Sequence, residues 1–191
     1  MMEDYVFEKC REINDSIIKG DEHNARNLLI CLLGYMDEHK VPYNSLVNAL
    51  IREVGLFPYM DETTSDWNDA FAYNLFKVDV GLNEEKAMHR EQYRLLSALL
   101  EGKNIAVSAP TSFGKSFVID AFISIKKPSN VMIIVPTIAL TDETRRRIYK
   151  KFAKEYNIIT TTDVELEEKN IFIFPQERAL HYIDLLDSID I

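Results

Sequence analysis

Residues 104–119 read N-I-A-V-S-A-P-T-S-F-G-K-S-F-V-I. The stretch begins with an apolar run at 105–107, continues through a loop of small and turn-forming residues, and ends in a second apolar segment. This order predicts a short buried strand, a tight loop and a helix.

The loop at 109–116 has the form x-x-x-x-x-G-K-[ST], in which backbone N–H groups and a helix N-terminus converge on an anion. Gly114 would let the main chain approach phosphate oxygens, Lys115 would reach the β and γ phosphates, and the Ser116 hydroxyl would hold Mg²⁺. We therefore predict that a nucleoside triphosphate binds here, with Lys115 as the catalytic residue. The predicted binding loop comprises Ala109, Pro110, Thr111, Ser112, Phe113, Gly114, Lys115 and Ser116. The alternative is an ordinary turn with a surface lysine.

The bulk composition is that of an ordinary globular protein. The chain has 191 residues, of which 47% are hydrophobic and 28% are charged, enough for one α/β core with a small appendage. No apolar run approaches the roughly 18 residues needed to cross a bilayer, and the N-terminus is acidic where a signal peptide would be basic. We expect a cytoplasmic protein without membrane contact.

Charge is distributed unevenly along the chain. Residues 1–80 hold 15 acidic and 7 basic side chains, and they carry most of the net charge of −9. Because an acidic surface repels phosphate backbones, nucleic-acid contact is expected from the second part, where basic residues cluster at 145–154. The same cluster is also compatible with an ordinary solvated helix face.

Residues 1–60 predict a small, acidic, all-helical bundle. Apolar residues recur at helical spacing in segments near 4–19 and 21–39 and again after Pro42, where Asn44 or Ser45 is a plausible cap. Residues 61–82 are interpreted as a linker with an aromatic connecting segment. We expect its aromatic residues to pack between the two parts, and one of them, Phe76, is a candidate to stack on an adenine ring.

Residues 83–191 predict strands alternating with helices around the phosphate loop. A helix is expected from a cap at Asn83 to about residue 100, and continuous apolar strands are expected at 131–135 and 171–174. A short strand near 158–161 and a last helix from Gln176 to about 186 complete the pattern. The expected fold class is α/β, a parallel sheet flanked by helices and preceded by the helical bundle.

Four segments in this order resemble the first RecA-like domain of superfamily-two helicases of the DEAD/DEAH-box kind. They are Gln92, the loop 109–116, the run V-P-T-I-A-L at 135–140 and the run P-Q-E-R at 175–178. The Pro-Thr-Ile-Ala-Leu and Gln-Glu-Arg variants are similar to those of helicases from bacterial anti-phage defence systems.

The resemblance implies a role for each segment. Gln92 would read the adenine edge through its amide, favouring ATP, and Ala109 in place of a first glycine is normal in this family. The resemblance also implies that a single strand of DNA or RNA is held through its sugar-phosphate backbone by Pro136, Thr137, Gln176, Glu177 and Arg178. Ile138 stands where an arginine is common, and the register of the last motif is shifted.

The family also carries an Asp-Glu pair on the next strand and an arginine finger in a second RecA-like domain. Neither is found by residue 191, so the chain is interpreted as the N-terminal part of a nucleic-acid-dependent ATPase or helicase. We expect it to work with the remaining helicase domains and not to hydrolyse ATP by itself.

Two other functions stay open. One is a protein-interaction module whose bundle docks a partner and whose phosphate loop is vestigial, and the other is a different phosphate-loop ATPase or kinase.

Overall fold

The structure is a computed structural model that describes residues 2–82, 84–161 and 165–183. It divides into two compact units. The first consists of Met1–Val78 and Glu85–Ser97, and the second consists of Asp79–Glu84 and Ala98–Ile191. The predicted division into 1–60, 61–82 and 83–191 stays a prediction; in the compact units, most of 61–82 belongs with the front helices.

Four helices, three of them with side-chain N-caps, form most of the first unit. They are α1 (Met2–Ile18), α2 (Glu22–Glu38), α3 (Ser45–Val54) and α4 (Trp67–Leu75), with a 3₁₀ turn at Phe57–Tyr59. The side chains of Asp21, Asn44 and Asp66 accept hydrogen bonds from backbone N–H groups at the starts of α2, α3 and α4. Such caps satisfy donors that have no partner within the helix, which explains where these helices begin.

One hydrophobic core holds these helices together. Its fully buried side chains include Ile13, Leu29, Met36, Ile51 and Phe57. Gly55, in the left-handed conformation at φ 78°, ends α3. A Cβ at this position would lie 2.6 Å from the Cβ of Arg90, so glycine is required both by the backbone conformation and by the close approach.

The segment after α4 forms a short β-ladder, which continues into a helix. Strand β1 (Lys77–Asp79) pairs with β2 (Glu85–Ala87), and α5 (Arg90–Leu100) follows. The prediction of a helix from Asn83 was wrong, because residues 85–87 are taken up by strand pairing and the helix begins at Arg90. Asn83 itself lies outside the described residues.

A parallel sheet forms the centre of the second unit. Its strands are β3 (Asn130–Val135), β4 (Asn157–Ile159) and β5 (Asn170–Pro175), in the order β3-β5-β4. The register pairs Val131 with Ile171 and Val135 with Pro175. The helices of this unit are α6 (Lys115–Lys126), α7 (Ile138–Phe152) and α8 (Gln176–Ile183).

The central strand β5 is buried on both faces. On one face Ile171 and Ile173 join a cluster with Ile123 of α6 and Ile148 of α7, and on the other face Phe172 and Phe174 pack with Ala179 of α8. The expected α/β class with helices flanking a parallel sheet is confirmed. The continuous apolar run at 131–135 predicts a strand buried on both faces of the sheet, and this prediction was wrong at Ile134, which is 53% exposed.

The predicted strand at 105–107 is also absent from the structure. Residues 103–110 have no regular secondary structure, and Ile105 and Val107 are 38% and 42% exposed. None of the described strands pairs with this run. An apolar run predicts burial, but a strand also needs a hydrogen-bonded neighbour, which sequence periodicity does not supply.

Candidate functional site

The phosphate loop enters its helix through a sharp left-handed turn. Pro110 is extended at φ −60° and ψ 164°, residues Thr111–Phe113 form one 3₁₀ turn, and Gly114 follows at φ 77° and ψ 39°. Helix α6 begins at the next residue, Lys115. Because this backbone conformation is costly for residues with a Cβ, Gly114 is the residue that permits the loop to turn directly into the helix.

The Lys115 ammonium is held by its own loop. Its Nζ atom donates hydrogen bonds to the carbonyl oxygens of Ala109 at 2.6 Å and of Pro110 at 3.0 Å. These contacts hold the ammonium over the loop, at a position that stays exposed to solvent. Most of the loop remains exposed, with Ala109, Phe113 and Gly114 half-buried.

The N-terminus of α6 presents donors suited to an anion. Among the residues that the structure describes, no side chain caps this helix start, whereas α2, α3 and α4 are each capped by an aspartate or asparagine. First-turn N–H groups and the helix dipole together favour phosphate at such a position. The residues therefore fit a nucleotide's phosphates.

The Ser116 hydroxyl, exposed in the first turn of α6, fits the predicted contact to Mg²⁺. This cation commonly takes one or two protein oxygens and completes its shell with substrate phosphates and water. In the part of the chain that the structure describes, no group of three or more His, Cys, Asp or Glu side chains could hold a metal ion by itself.

The predicted strand-contact residues lie at one edge of the parallel sheet. The paired residues Val135 and Pro175 end strands β3 and β5, so the segments that follow them, Pro136–Thr137 and Gln176–Arg178, leave the sheet at the same edge. Carboxyl ends of parallel strands are where α/β proteins place ligands. The structure thus brings these two predicted segments together.

Two of these residues, Thr137 and Arg178, make hydrogen bonds at this edge. The Thr137 hydroxyl caps α7 by accepting a hydrogen bond from the Leu140 N–H at 3.3 Å. Arg178 donates to the carbonyl oxygen of Thr160, which follows β4. Pro136, Gln176 and Glu177 are exposed at the same edge. The roles of all five in binding a single strand stay predictions.

A groove of about 190 Å³ opens at this edge. The side chains lining it include Ile138, Thr141, Arg145 and Thr160, together with Arg178. Sequence reasoning missed the contributions of Thr160 and Thr161, because a polar pair after a short strand carries no signal until the strand order is known.

The basic cluster on α7 is largely engaged in ion pairs. Arg145 and Arg146 contact the carboxylate of Asp142 at 2.9 and 2.6 Å. Arg147 and Lys151 both contact Asp120 of α6. Sequence reasoning also missed Asp120, whose signal was a single acidic residue within the otherwise apolar run of the phosphate-loop helix.

Gln92 and Phe76, the two residues assigned to the adenine base, belong to the first unit. Gln92 is buried, and its Oε1 atom accepts a hydrogen bond from the His89 N–H at 3.0 Å, which caps the start of α5. Phe76 stacks on Phe57 with ring centroids 4.0 Å apart and meets Tyr93 edge-on. One face of the Phe76 ring is therefore covered by Phe57, and the adenine contacts of both residues stay predictions.

Arg90 is a residue of this region that sequence reasoning did not assign. Its guanidinium donates to the carbonyl oxygens of Glu53 at 2.9 Å and Arg52 at 2.7 Å, at the C-terminus of α3. A cation at a helix C-terminus is favourable, and this contact fixes the start of α5, where Gln92 lies, against α3.

No helix in the described residues is both long and apolar enough to cross a membrane.

Comparison with known proteins gives two family matches. Residues 89–184 match the DEAD/DEAH box helicase family, and residues 1–70 match the family described as the Anti-bacteriophage protein B N-terminal domain. The chain is also 30% identical over 148 residues to Anti-bacteriophage protein B of Escherichia coli (strain K12). The match covers 76% of this chain but 20% of that relative, so the chain spans about a fifth of the relative's length.

Proposed function

Because this chain belongs to the DEAD/DEAH box helicase family, we propose that it supplies the ATP-binding part and part of the strand-contact surface of a nucleic-acid-dependent ATPase. The observation that carries this proposal is the loop in which Gly114 turns into the uncapped start of α6 while the Lys115 ammonium lies over the loop.

In this proposal each residue of the loop binds or orients the nucleotide. The first-turn amides of α6 and the Lys115 ammonium bind the terminal phosphates, and the Ser116 hydroxyl contributes an oxygen ligand to Mg²⁺. Bound Mg²⁺ would neutralise phosphate charge. Lys115 would exchange its two carbonyl acceptors for phosphate oxygens, a short movement that keeps the charge within the same loop.

Gln92 and Phe76 are proposed to recognise the adenine base. A glutamine amide offers one acceptor and two donors, which can match the N6 and N7 atoms of adenine. The Gln92 Oε1 atom is shared with the His89 N–H, so recognition would use the amide nitrogen together with the second lone pair of the oxygen. Phe76 is proposed as the ring packed against the base.

The strand-contact surface is proposed to consist of Pro136, Thr137, Gln176, Glu177 and Arg178. Its support is their common position at the carboxyl edge of the sheet and the α8 helix start at Gln176. A helix N-terminus and a guanidinium are both suited to backbone phosphates. Contact with phosphate rather than with bases would give binding without sequence preference.

We propose that the protein has a role in anti-phage defence. It is supported by the match of residues 1–70 to the Anti-bacteriophage protein B N-terminal domain and by the identity to the relative in Escherichia coli. Hydrolysis and strand unwinding are proposed for the whole protein, and the inability of residues 1–191 to hydrolyse ATP by themselves stays a prediction.

Titration calorimetry with Mg-ATP and Mg-ADP tests the nucleotide site. Lys115→Ala should weaken binding by about 10- to 100-fold, because a charge-assisted hydrogen bond contributes about 1.5–3 kcal/mol. The matched control is Lys103→Ala, which removes an exposed lysine paired with Glu101 and should leave the affinity unchanged. Equal affinities of the wild type and Lys115→Ala would exclude the proposed site and favour the vestigial-loop alternative.

A further inference from the structure

A buried carboxylate joins the phosphate-loop helix to α7. The Asp120 side chain, in α6, is only 3% exposed. Arg147 donates to its Oδ1 atom, and the Lys151 ammonium lies 2.9 Å from its Oδ2 atom. Both oxygens of one carboxylate are thus bound by cations from successive turns of the same neighbouring helix.

This arrangement is held more firmly than the other ion pairs of α7. Arg145 and Arg146 meet Asp142 within the same helix, and all three of those side chains are at least 42% exposed. Arg147 and Lys151 are 28% and 18% exposed, and burial lowers the pKa of the Arg147 guanidinium. Since a charge removed from water needs compensating partners, the three groups depend on one another to stay buried.

The Arg147 guanidinium also reaches the phosphate loop at its last residue, Ser116. Nη1 of Arg147 lies 3.4 Å from the carbonyl oxygen of Ser116, in the first turn of α6. Ser116 is the residue whose hydroxyl is proposed to hold Mg²⁺. Arg147 therefore touches both the first turn of α6 and the carboxylate one turn further along.

Helix α7 connects this contact to the strand-contact surface. Its N-cap is Thr137, one of the residues proposed to bind a single strand. Arg147 lies ten residues further on, which at 1.5 Å per residue is about 15 Å along the helix axis. A helix is stiff over this length, and Ile148 and Phe152 of α7 share a buried apolar cluster with Ile123 of α6, which supports the same helix pair.

We propose that Arg147 is a positioning residue that couples the phosphate loop to the strand-contact surface, with Asp120 and Lys151 holding its guanidinium in place. The inference rests on the proposed function, since it needs ligands at both ends of α7. A change in the first turn of α6 when Mg-nucleotide binds would be transmitted through the Ser116 carbonyl and Arg147 to α7 and its Thr137 end. By linkage, a strand bound near Thr137 would change the affinity for nucleotide by the same factor.

The experiment measures that factor in the 191-residue chain. Calorimetry measures the affinity for Mg-ADP in the absence and in the presence of a saturating oligothymidylate or oligouridylate. In reverse, oligonucleotide affinity is followed by fluorescence anisotropy with and without Mg-ADP. We expect a coupling of at least about fivefold in the wild type and less than about twofold in Arg147→Lys.

The choice of Arg147→Lys separates positioning from folding. Lysine keeps a cation for Asp120 but lacks the planar group that reaches both Asp120 and the Ser116 carbonyl. Circular dichroism and the thermal midpoint should therefore stay close to those of the wild type while the coupling falls. The matched control is Arg146→Lys, at the adjacent position of α7, where the arginine is 75% exposed and pairs with Asp142; this change should leave the coupling intact.

The outcomes distinguish the inference from the function on which it rests. If the wild type binds neither nucleotide nor oligonucleotide, the proposed function itself fails. If it binds both but without mutual effect, or if Arg147→Lys couples them as strongly as the wild type does, the positioning role of Arg147 is excluded and the proposed function stands.

Discussion

The Arg52 guanidinium donates to the Asp69 carboxylate at 2.7 Å, and the Asp69 side chain is completely buried. Arg52 lies in α3 and Asp69 in α4, so this ion pair binds the helix after the polar segment 61–66 to the front helices. The polar segment is itself bound to α3, since Asn48 donates to the carbonyl oxygen of Asp61 and to the Thr64 hydroxyl.

Arg52→Ala should destabilise the first unit by about 3 kcal/mol at pH 7, because it leaves a buried carboxylate without its cation. Burial raises the pKa of Asp69, and Arg52 opposes that rise. Without Arg52 the pKa should rise further, so the loss of stability should shrink as the pH falls and Asp69 becomes neutral. Urea unfolding at pH 7 and pH 4 measures both effects.

The control variant Arg11→Ala breaks an exposed pair with Glu8 and should lower the free energy of unfolding by less than about 1 kcal/mol. An equal loss of stability in Arg52→Ala and Arg11→Ala would contradict this account.

His89 should make the stability of the protein fall in mild acid. Burial, with a smaller contribution from Arg26, lowers the pKa of His89 to about 4, and its Nδ1 atom is buried without a hydrogen-bond partner among the described residues. His89 is protonated near pH 6.5 in the unfolded chain but only near pH 4 in the folded chain. As the pH falls, the unfolded chain therefore gains a proton first, so the free energy of unfolding is highest above pH 6.5 and decreases between pH 6.5 and pH 4. At about 1.36 kcal/mol per pKa unit, this loss approaches about 3 kcal/mol.

Unfolding measured from pH 7 to pH 4 tests this prediction. His89→Gln should flatten the pH dependence, although it also removes ring contact with Tyr59 and so lowers stability at pH 7. His23→Gln, at an exposed position of α2, is the control and should keep the wild-type slope. A slope that is the same in all three proteins would show that His89 titrates normally in the folded state.

Local signals account for what could be predicted of the fold. The starts of α2 and α3 follow from capping residues, and the strands β3 and β5 follow from apolar runs, because both depend on residues close in sequence. The β1–β2 ladder could not be predicted in this way. Residues 83–85, N-E-E, have the composition of a capped helix start, but pairing with β1 takes up residues 85–87.

The candidate site likewise contains parts that local sequence predicts and parts that it does not. The phosphate loop is a contiguous motif, so the sequence locates it, and the order of segments along parallel strands places Pro136–Thr137 and Gln176–Arg178 at one sheet edge. The Asp120–Arg147–Lys151 cluster joins residues from different helices, and nothing in the spacing of acids and bases distinguishes it from surface pairs such as Arg146–Asp142. Only burial identifies it.

Ser116→Ala should abolish the dependence of nucleotide binding on Mg²⁺ while retaining part of the binding itself. The hydroxyl is the proposed protein ligand of the cation, whereas the first-turn amides and Lys115 remain to bind phosphate. ADP affinity measured with Mg²⁺ and with EDTA should differ in the wild type and converge in the variant. Ser124→Ala removes a hydroxyl elsewhere on α6, where it donates to Asp79, and should keep the wild-type difference. A Mg²⁺ dependence preserved in Ser116→Ala would exclude the serine as a ligand.

Arg178→Ala should weaken binding of single-stranded oligonucleotides and reduce its salt dependence. Arg178 lies at the carboxyl edge of the sheet, where one of its N–H groups donates to the Thr160 carbonyl and the rest of its five donors can serve a phosphate. For single strands each neutralised phosphate contributes about 0.7 to the slope of log affinity against log salt, so the slope should fall by about that amount. Fluorescence anisotropy over a salt series measures this slope for mixed-sequence DNA and RNA. The loss of affinity should not depend on base sequence, since phosphates carry no sequence information.

The control variant Arg94→Ala removes an equal charge from an exposed position in the first unit and should leave the slope unchanged. If the two variants change the slope equally, net charge rather than a contact at Arg178 governs binding, and this edge is not the strand-contact surface.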